Sequence, residues 1–173
     1  MSLSVRPADP RDIPAITDIY DAAVRYGTAS FEIDPPGEME MRRRYDALRA
    51  GGYPYLVAEL GGTIAGYAYA GPHRARPAYH WCVEDSIYIA RHSQRRGFGR
   101  ALLRRLIVDA EAHGFRQMIA VIGDSANAAS IELHRAADFR MVGTFADVGF
   151  KFGRWLDAVL MQRPLGPGAT TPP

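Results

Sequence analysis

Apolar residues at Ile13, Ile16, Ile19, Tyr20, Ala23 and Val24 recur at helical spacing, which predicts an amphipathic helix ending near Gly27. Ser4 to Pro7 reads as a short opening strand, and Asp9-Pro10 as an N-cap followed by a helix-starting proline. Thr28 to Ile33 is a loop or a short extended piece, broken by Pro35-Pro36. A second helix is predicted from Glu38 to about Ala50, ended by Gly51-Gly52. The pattern then changes to strands: Tyr55 to Leu60 and Thr63 to Ala70 flank Gly61-Gly62, a two-residue hairpin signal. After a Pro- and Arg-containing loop from Gly71 to Ala78, Val83 to Ala90 reads as a strand. Gly97 to about His113 reads as a helix with Phe98, Leu102, Leu103, Leu106, Ile107 and Ala110 apolar. The continuous apolar run Gln117 to Ile122 suits a strand buried on both faces. A helix from about Asn127 to Ala137 follows, then strands Phe139 to Val148 and Arg154 to Gln162, joined by Gly149 to Gly153.

This order predicts an α+β (α/β/α) fold, one domain over residues 1–165 with a mixed, mostly antiparallel sheet flanked by helices. Residues 166–173, in a Pro/Gly/Thr-rich end with nothing evident to bury, are expected to form a disordered tail. Composition adds limits. The 173 residues, 47% hydrophobic and 23% charged, suit a single core. No apolar run approaches the roughly 20 residues that span a bilayer, and the N-terminus lacks a secretory pattern, so a cytoplasmic protein off the membrane is expected. A net charge of +2 does not favour a nucleic-acid partner. The single Cys82 excludes an internal disulfide, and no Cys/His cluster has metal-ligand spacing, so no metal is expected.

The sharpest signal is Gln94-Arg95-Arg96-Gly97-Phe98-Gly99 between the strand ending near Ala90 and the helix starting near Gly97. Glycines let backbone approach a ligand, and a helix start offers unpaired N–H groups with partial positive charge. Arg95, Arg96 and Arg100 add full charges there, a good setting for a diphosphate. The segment lacks the Gly-Lys-Ser/Thr of a P-loop and the three-glycine dinucleotide fingerprint. The bland alternative is an Arg-rich helix start whose glycines serve only the turn.

Strand, Gln94 to Gly99, then amphipathic helix resembles the coenzyme A pyrophosphate loop of the GNAT acyltransferase superfamily. The resemblance extends from about Val5 to Leu165: Arg6-Pro7-Ala8, Ala65 to Pro72, Ala78-Tyr79-His80-Trp81, Val83 to Ile89 and Gly149 to Trp155 follow in order. Together these resemble the phosphinothricin/methionine sulfoximine N-acetyltransferase branch. The resemblance implies a sheet splayed at its centre to admit acetyl-CoA. It places the pantetheine arm along the backbone of Ile87, Tyr88 and Ile89, with an amide, that of Ile89, as oxyanion donor. Arg95, Arg96, Gly97, Phe98, Gly99 and Arg100 would cradle the diphosphate, and Asn127 would lie near the thiol end while also capping its helix. Where the superfamily commonly has Tyr and Gly, this chain has His134 and Asp138; histidine is what the branch shows, and Asp tolerates the left-handed conformation.

An amine attacks a thioester only after losing a proton, so the site needs an acceptor. Glu84 matches the family's acidic residue beside the amine; alone it would read as a solvated strand-end carboxylate. Asp85, on the other strand face by alternation, is a poorer base. His134 is either a second acid/base group or a half-buried histidine bonded to backbone. Cys82 reads as a small core filler rather than a nucleophile, so transfer is expected to be direct. Arg74 and Arg76 could pair a substrate carboxylate or phosphinate, with Phe31, Tyr79 and Trp81 walling the pocket. Lys151 is expected to contact the partner subunit's site, since the branch implies a homodimer. The implied reaction is acetylation of the α-amino group of a small amino-acid analogue such as phosphinothricin, methionine sulfoximine or methionine sulfone. The rivals are a GNAT enzyme for another amine (a polyamine, an aminoglycoside or a protein N-terminus) and a non-catalytic acyl-CoA sensor.

Overall fold

The apolar stripes fall into two layers on opposite faces of one sheet, as period-two alternation along the strands requires. The computed structural model describes residues 3–173. Its strands are Leu3–Pro7 (β1), Tyr55–Leu60 (β2), Thr63–Pro72 (β3), Cys82–Ile89 (β4), Gln117–Gly123 (β5), Arg140–Lys151 (β6) and Arg154–Pro164 (β7). They form a seven-stranded sheet in the order β1-β2-β3-β4-β5-β7-β6. The α-helices are Ile13–Tyr26 (α1), Glu38–Ala50 (α2), Phe98–Ala112 (α3) and Ala128–Arg135 (α4).

On one face Leu56, Ala58, Ala68, Ala70 and Val83 pack under Leu102, Leu103, Leu106 and Ala110 of α3. On the other, Tyr55, Val57 and Tyr67 lie under Ile16, Tyr20, Val24, Met41 and Tyr45 of α1 and α2. Each large side chain so buried contributes about 1.5–3 kcal/mol. Asp9 opens the chain into α1 through a capping box: its carboxylate accepts from the Arg11 amide, and Asp12 accepts from the Asp9 amide at 2.8 Å. Gly61 and Gly62, both at positive φ (58° and 84°), make the tight β2–β3 turn that only glycine adopts without strain.

The sheet is antiparallel except between β4 and β5, which pair in parallel from Cys82↔Gln117 to Asp85↔Ala120 and no further. Beyond Asp85 the two strands part. That opening is the feature of the fold that builds the site.

Three local expectations differ from the structure. The β5 run is buried on one face only: Met118, Ala120 and Ile122 are interior, but Val121 is exposed, because α1 rests on β3 and β4. The last hairpin turns on Phe152 and Gly153 alone (φ 52° and 74°), so β6 is longer than predicted and takes up the extra residues in two irregularities. The expected tail is folded back: Leu165 is fully buried, and the Arg116 guanidinium donates to the carbonyls of Gly168 and Pro172 at 3.2 and 3.0 Å. One buried leucine and one arginine supply the anchoring that composition does not show.

Candidate active site

Where β4 leaves β5, a cleft of about 970 Å³ opens between Ile87, Tyr88 and Ile89 on one side and the start of α4 on the other. Its far end is the turn Gln94 to Arg100 at the start of α3, and Ala22, Ala23 and Tyr26 of α1 close its side. Gly97, the residue before α3, has φ 88°, a left-handed conformation that favours glycine. Gly99 has no room for a side chain without pressing Leu133, which would lie 3.3 Å from its Cβ. The α3 N-terminus carries no side-chain cap, so its first amides are left for a ligand. Arg91, Arg95 and Arg100 also line the cleft. An elongated molecule with an anionic group at one end fits this arrangement.

Of the residues expected at the cofactor, Ile87, Tyr88, Ile89, Arg95, Gly97, Phe98, Gly99, Arg100 and Asn127 all line this cleft. Arg96 does not; its guanidinium lies over the Phe98 ring, 5.7 Å from the centroid. Asn127 caps α4, its carbonyl accepting from the Ser130 amide at 3.2 Å, which leaves its NH2 as the end that can reach a ligand.

Glu84 and Asp85 occupy opposite faces of β4. Asp85 points into the interior and accepts a 3.0 Å contact from His134 Nε2; their side chains are 2% and 5% exposed. His134 Nδ1 donates to the Ser130 carbonyl at 2.7 Å. Burial by itself lowers the imidazole pKa, but the Asp85 carboxylate outweighs it, and the net direction is upward. Both ring nitrogens are thereby engaged, so the acid/base half of the expectation for His134 finds no free nitrogen, and the alternative of a backbone-bonded histidine describes its placement. Among the described residues Asp85 Oδ1 has no hydrogen-bond partner, and Asp85 lines a cavity of about 60 Å³ that also touches Asn127 and Ser130, room enough for water.

Glu84 sits on the α1 side with Tyr69 and lies outside the cleft walls. Its carboxylate meets His73 Nδ1 at 3.2 Å, the side chains being 37% and 19% exposed. Partial burial raises the Glu84 pKa, and His73 pulls against that rise. His73 went unnoticed in the sequence. The signal available was register, because Gly71 pairs with Glu84 and the His73 amide donates to the Cys82 carbonyl, which sets residue 73 beside residue 84.

The other expected substrate residues separate. Tyr79 packs edge-on to His73 (5.8 Å) and carries Arg74 over its face at 5.7 Å. Arg76 is exposed at the start of the short 3-10 turn Pro77–Tyr79. Trp81 turns toward His80 and Gly114 at the other end of β4. Phe31 covers the backbones of Gly149 and Gly123, where a Cβ would lie 2.5 and 3.0 Å from its ring. Lys151 is buried, and its ammonium donates to the carbonyls of Gly27 and Ser30 in its own chain at 2.9 and 2.8 Å. It therefore pins the α1–α2 loop to the last hairpin, an engagement within one chain that the sequence reading did not foresee.

Three comparisons place this geometry among known proteins. Residues 16–139 match the family described as "Acetyltransferase (GNAT) family". A phosphinothricin N-acetyltransferase from Alcaligenes faecalis is 52% identical over 98% of this chain and 86% of its own length. An L-methionine sulfoximine/L-methionine sulfone acetyltransferase from Pseudomonas paraeruginosa is 40% identical over 99% of this chain and all of its own. The crystal structure of a GNAT superfamily phosphinothricin acetyltransferase from Sinorhizobium meliloti, in complex with acetyl-CoA, superposes with a TM-score of 0.97 at 47% identity. It covers 100% of this chain and 94% of that one.

Proposed function

This chain belongs to the GNAT family of acetyltransferases, and from that premise we propose that it moves the acetyl group of acetyl-CoA to the α-amino group of a small amino-acid analogue of the phosphinothricin or methionine sulfoximine type. The observation that carries the reading is the parting of β4 from β5 after Asp85, which leaves the β5-facing edge of the backbone from Ser86 to Ile89 unpaired beside a helix N-terminus, while the other edge stays paired with β3. Bare strand amides and carbonyls suit a pantetheine amide chain. The arginine-rimmed start of α3 suits a diphosphate.

In this reading acetyl-CoA runs from Arg95, Gly97 and Arg100 to Asn127, with its carbonyl against an amide of β4 that stabilises the developing oxyanion. The amine approaches from the Glu84 side, gives up a proton to that carboxylate, and attacks the thioester directly. Arg74 and Arg76 stand on the same loop as His73 and are the cations at hand for an anionic substrate. His134 and Asp85 hold the far side of β4 in register.

A homodimer is part of the proposal. Met141, Val142, Phe145, Val148, Phe150, Phe152 and Trp155 are all about half exposed or more along the edge strand β6 and its turn into β7. An apolar edge strand of this kind invites pairing with a second copy.

The test is release of coenzyme A thiol from acetyl-CoA against phosphinothricin, methionine sulfoximine, methionine sulfone, ordinary amino acids, a polyamine and an aminoglycoside. Turnover confined to the amino-acid analogues, with KM raised by Arg74→Ala or Arg76→Ala, is the expected result. Turnover only with cationic amines would move the protein to another substrate class. Tight acetyl-CoA binding without any turnover would leave a sensor.

A further inference from the structure

Each acetyl transfer from a thioester to a protonated amine sets one proton free. The ammonium loses two protons in becoming an amide, and the departing thiolate takes back only one. Glu84, if it accepts the first, must pass it on before the next cycle. Among the described residues its carboxylate has one hydrogen-bonding side-chain partner, His73, at 3.2 Å. The His73 ring is 19% exposed, against 37% for Glu84, and it is steadied edge-on by Tyr79. The other groups facing this carboxylate are ill suited to carry a proton away. The Tyr69 hydroxyl, on β3, and the Cys82 thiol both have pKa values pushed up by burial, and Asp85 points through the sheet to His134. Arg74 lies beyond Tyr79 as a fixed positive charge that holds its proton.

We propose that His73 is a positioning residue for Glu84 and the exit for its proton, holding the carboxylate toward the substrate and handing the proton to solvent. The inference rests on the reading of Glu84 as the acceptor. The steps balance. The amine proton moves to Glu84 Oε2 as the amine lone pair attacks the carbonyl carbon. The C–S bond breaks, the second N–H proton goes to the thiolate, and the Glu84 proton moves to His73 Nδ1. His73, which enters the cycle with its ring proton on Nε2, then releases that proton to water and leaves Glu84 ionised. Exchange of the Nδ1 proton for one on Nε2 through solvent at the partly exposed ring restores the starting tautomer.

The same contact sets the acid limb of the reaction. The His73 ring beside Glu84 opposes the rise that burial causes; without it, burial acts unopposed and Glu84 takes up a proton at higher pH. A protonated Glu84 cannot accept from the amine, so the acid limb of kcat/KM must move up when His73 is replaced.

The experiment compares pH profiles of kcat/KM for phosphinothricin in the wild type, His73→Phe, His73→Gln and Glu84→Gln. The acid limb is expected to shift up in His73→Phe and by less in His73→Gln, which keeps a hydrogen-bonding partner for Glu84. KM for acetyl-CoA should not change, because His73 lies outside the cleft. An acid limb that overlays the wild type in both His73 variants, while Glu84→Gln has lost turnover, overturns the role of His73 and leaves Glu84 standing. Full turnover by Glu84→Gln overturns the acceptor reading and the inference with it. If His73→Phe fails to fold, His73→Gln carries the same test.

Discussion

Two imidazole–carboxylate pairs sit on opposite faces of β4, one residue apart on the strand. Asp85–His134 is sealed, with side chains 2% and 5% exposed, and Glu84–His73 is open at 37% and 19%. Their bond lengths are nearly alike, 3.0 and 3.2 Å. What differs is access. A buried pair with both ring nitrogens engaged is poorly placed to exchange a proton with substrate and costs heavily if one member is lost. An open pair contributes little to stability but can give and take protons. The chemistry of a pair is set as much by what it faces as by the two groups in it.

The largest effect expected from breaking this contrast is on stability, at the sealed pair. His134→Ala leaves the buried Asp85 carboxylate without its partner and should cost about 3–5 kcal/mol, and Asp85→Ala leaves a buried ring N–H unpaired at about 1–3 kcal/mol, both read from denaturant unfolding. The double variant Asp85→Leu with His134→Phe should cost much less than the sum of the single changes, since removing both partners leaves no orphaned charge. Additive losses would mean that the two groups do not act as a pair.

A smaller effect should appear in the pH dependence of unfolding. The folded His134 pKa is raised, so its contribution is complete below its unfolded value near 6.5 and is lost as pH rises through the folded value. The stability difference between wild type and His134→Gln should therefore shrink toward alkaline pH. The smallest effect belongs to the open pair. The Glu84 pKa is raised by burial, so the cost of holding it charged appears only as pH climbs above the ordinary carboxylate range. Glu84→Gln should melt slightly higher than wild type at neutral pH and lose that advantage in acid, measured by thermal unfolding.

The legibility of the two faces differed in the same way. The cleft end at the start of α3 could be read early, because glycines, arginines and a helix start are contiguous from Gln94 to Arg100 and their physics is local. The surroundings of Glu84 and Lys151 depend on pairings distant in sequence. His73 meets Glu84 only through the β3–β4 register, and Lys151 reaches Gly27 and Ser30 across the whole chain. His134 was legible as a position but not as a partner of Asp85, since nothing local says that a helix packs over the interior face of β4. Trp81 shows the opposite limit: adjacency to β4 suggests a pocket wall, while in the structure its ring lies beside Gly114, a contact no local pattern announces.

The most direct test of the account sets Glu84→Gln beside Asp85→Asn in the same turnover assay, at a temperature where both are folded and bind acetyl-CoA as the wild type does. The account predicts that Glu84→Gln loses about two to four orders of magnitude in kcat, the usual worth of a positioned acid or base, while Asp85→Asn stays within several-fold of wild type and shows its loss in unfolding. The reverse order, with Asp85→Asn inactive and Glu84→Gln active, would put the proton chemistry on the sealed face and contradict the account.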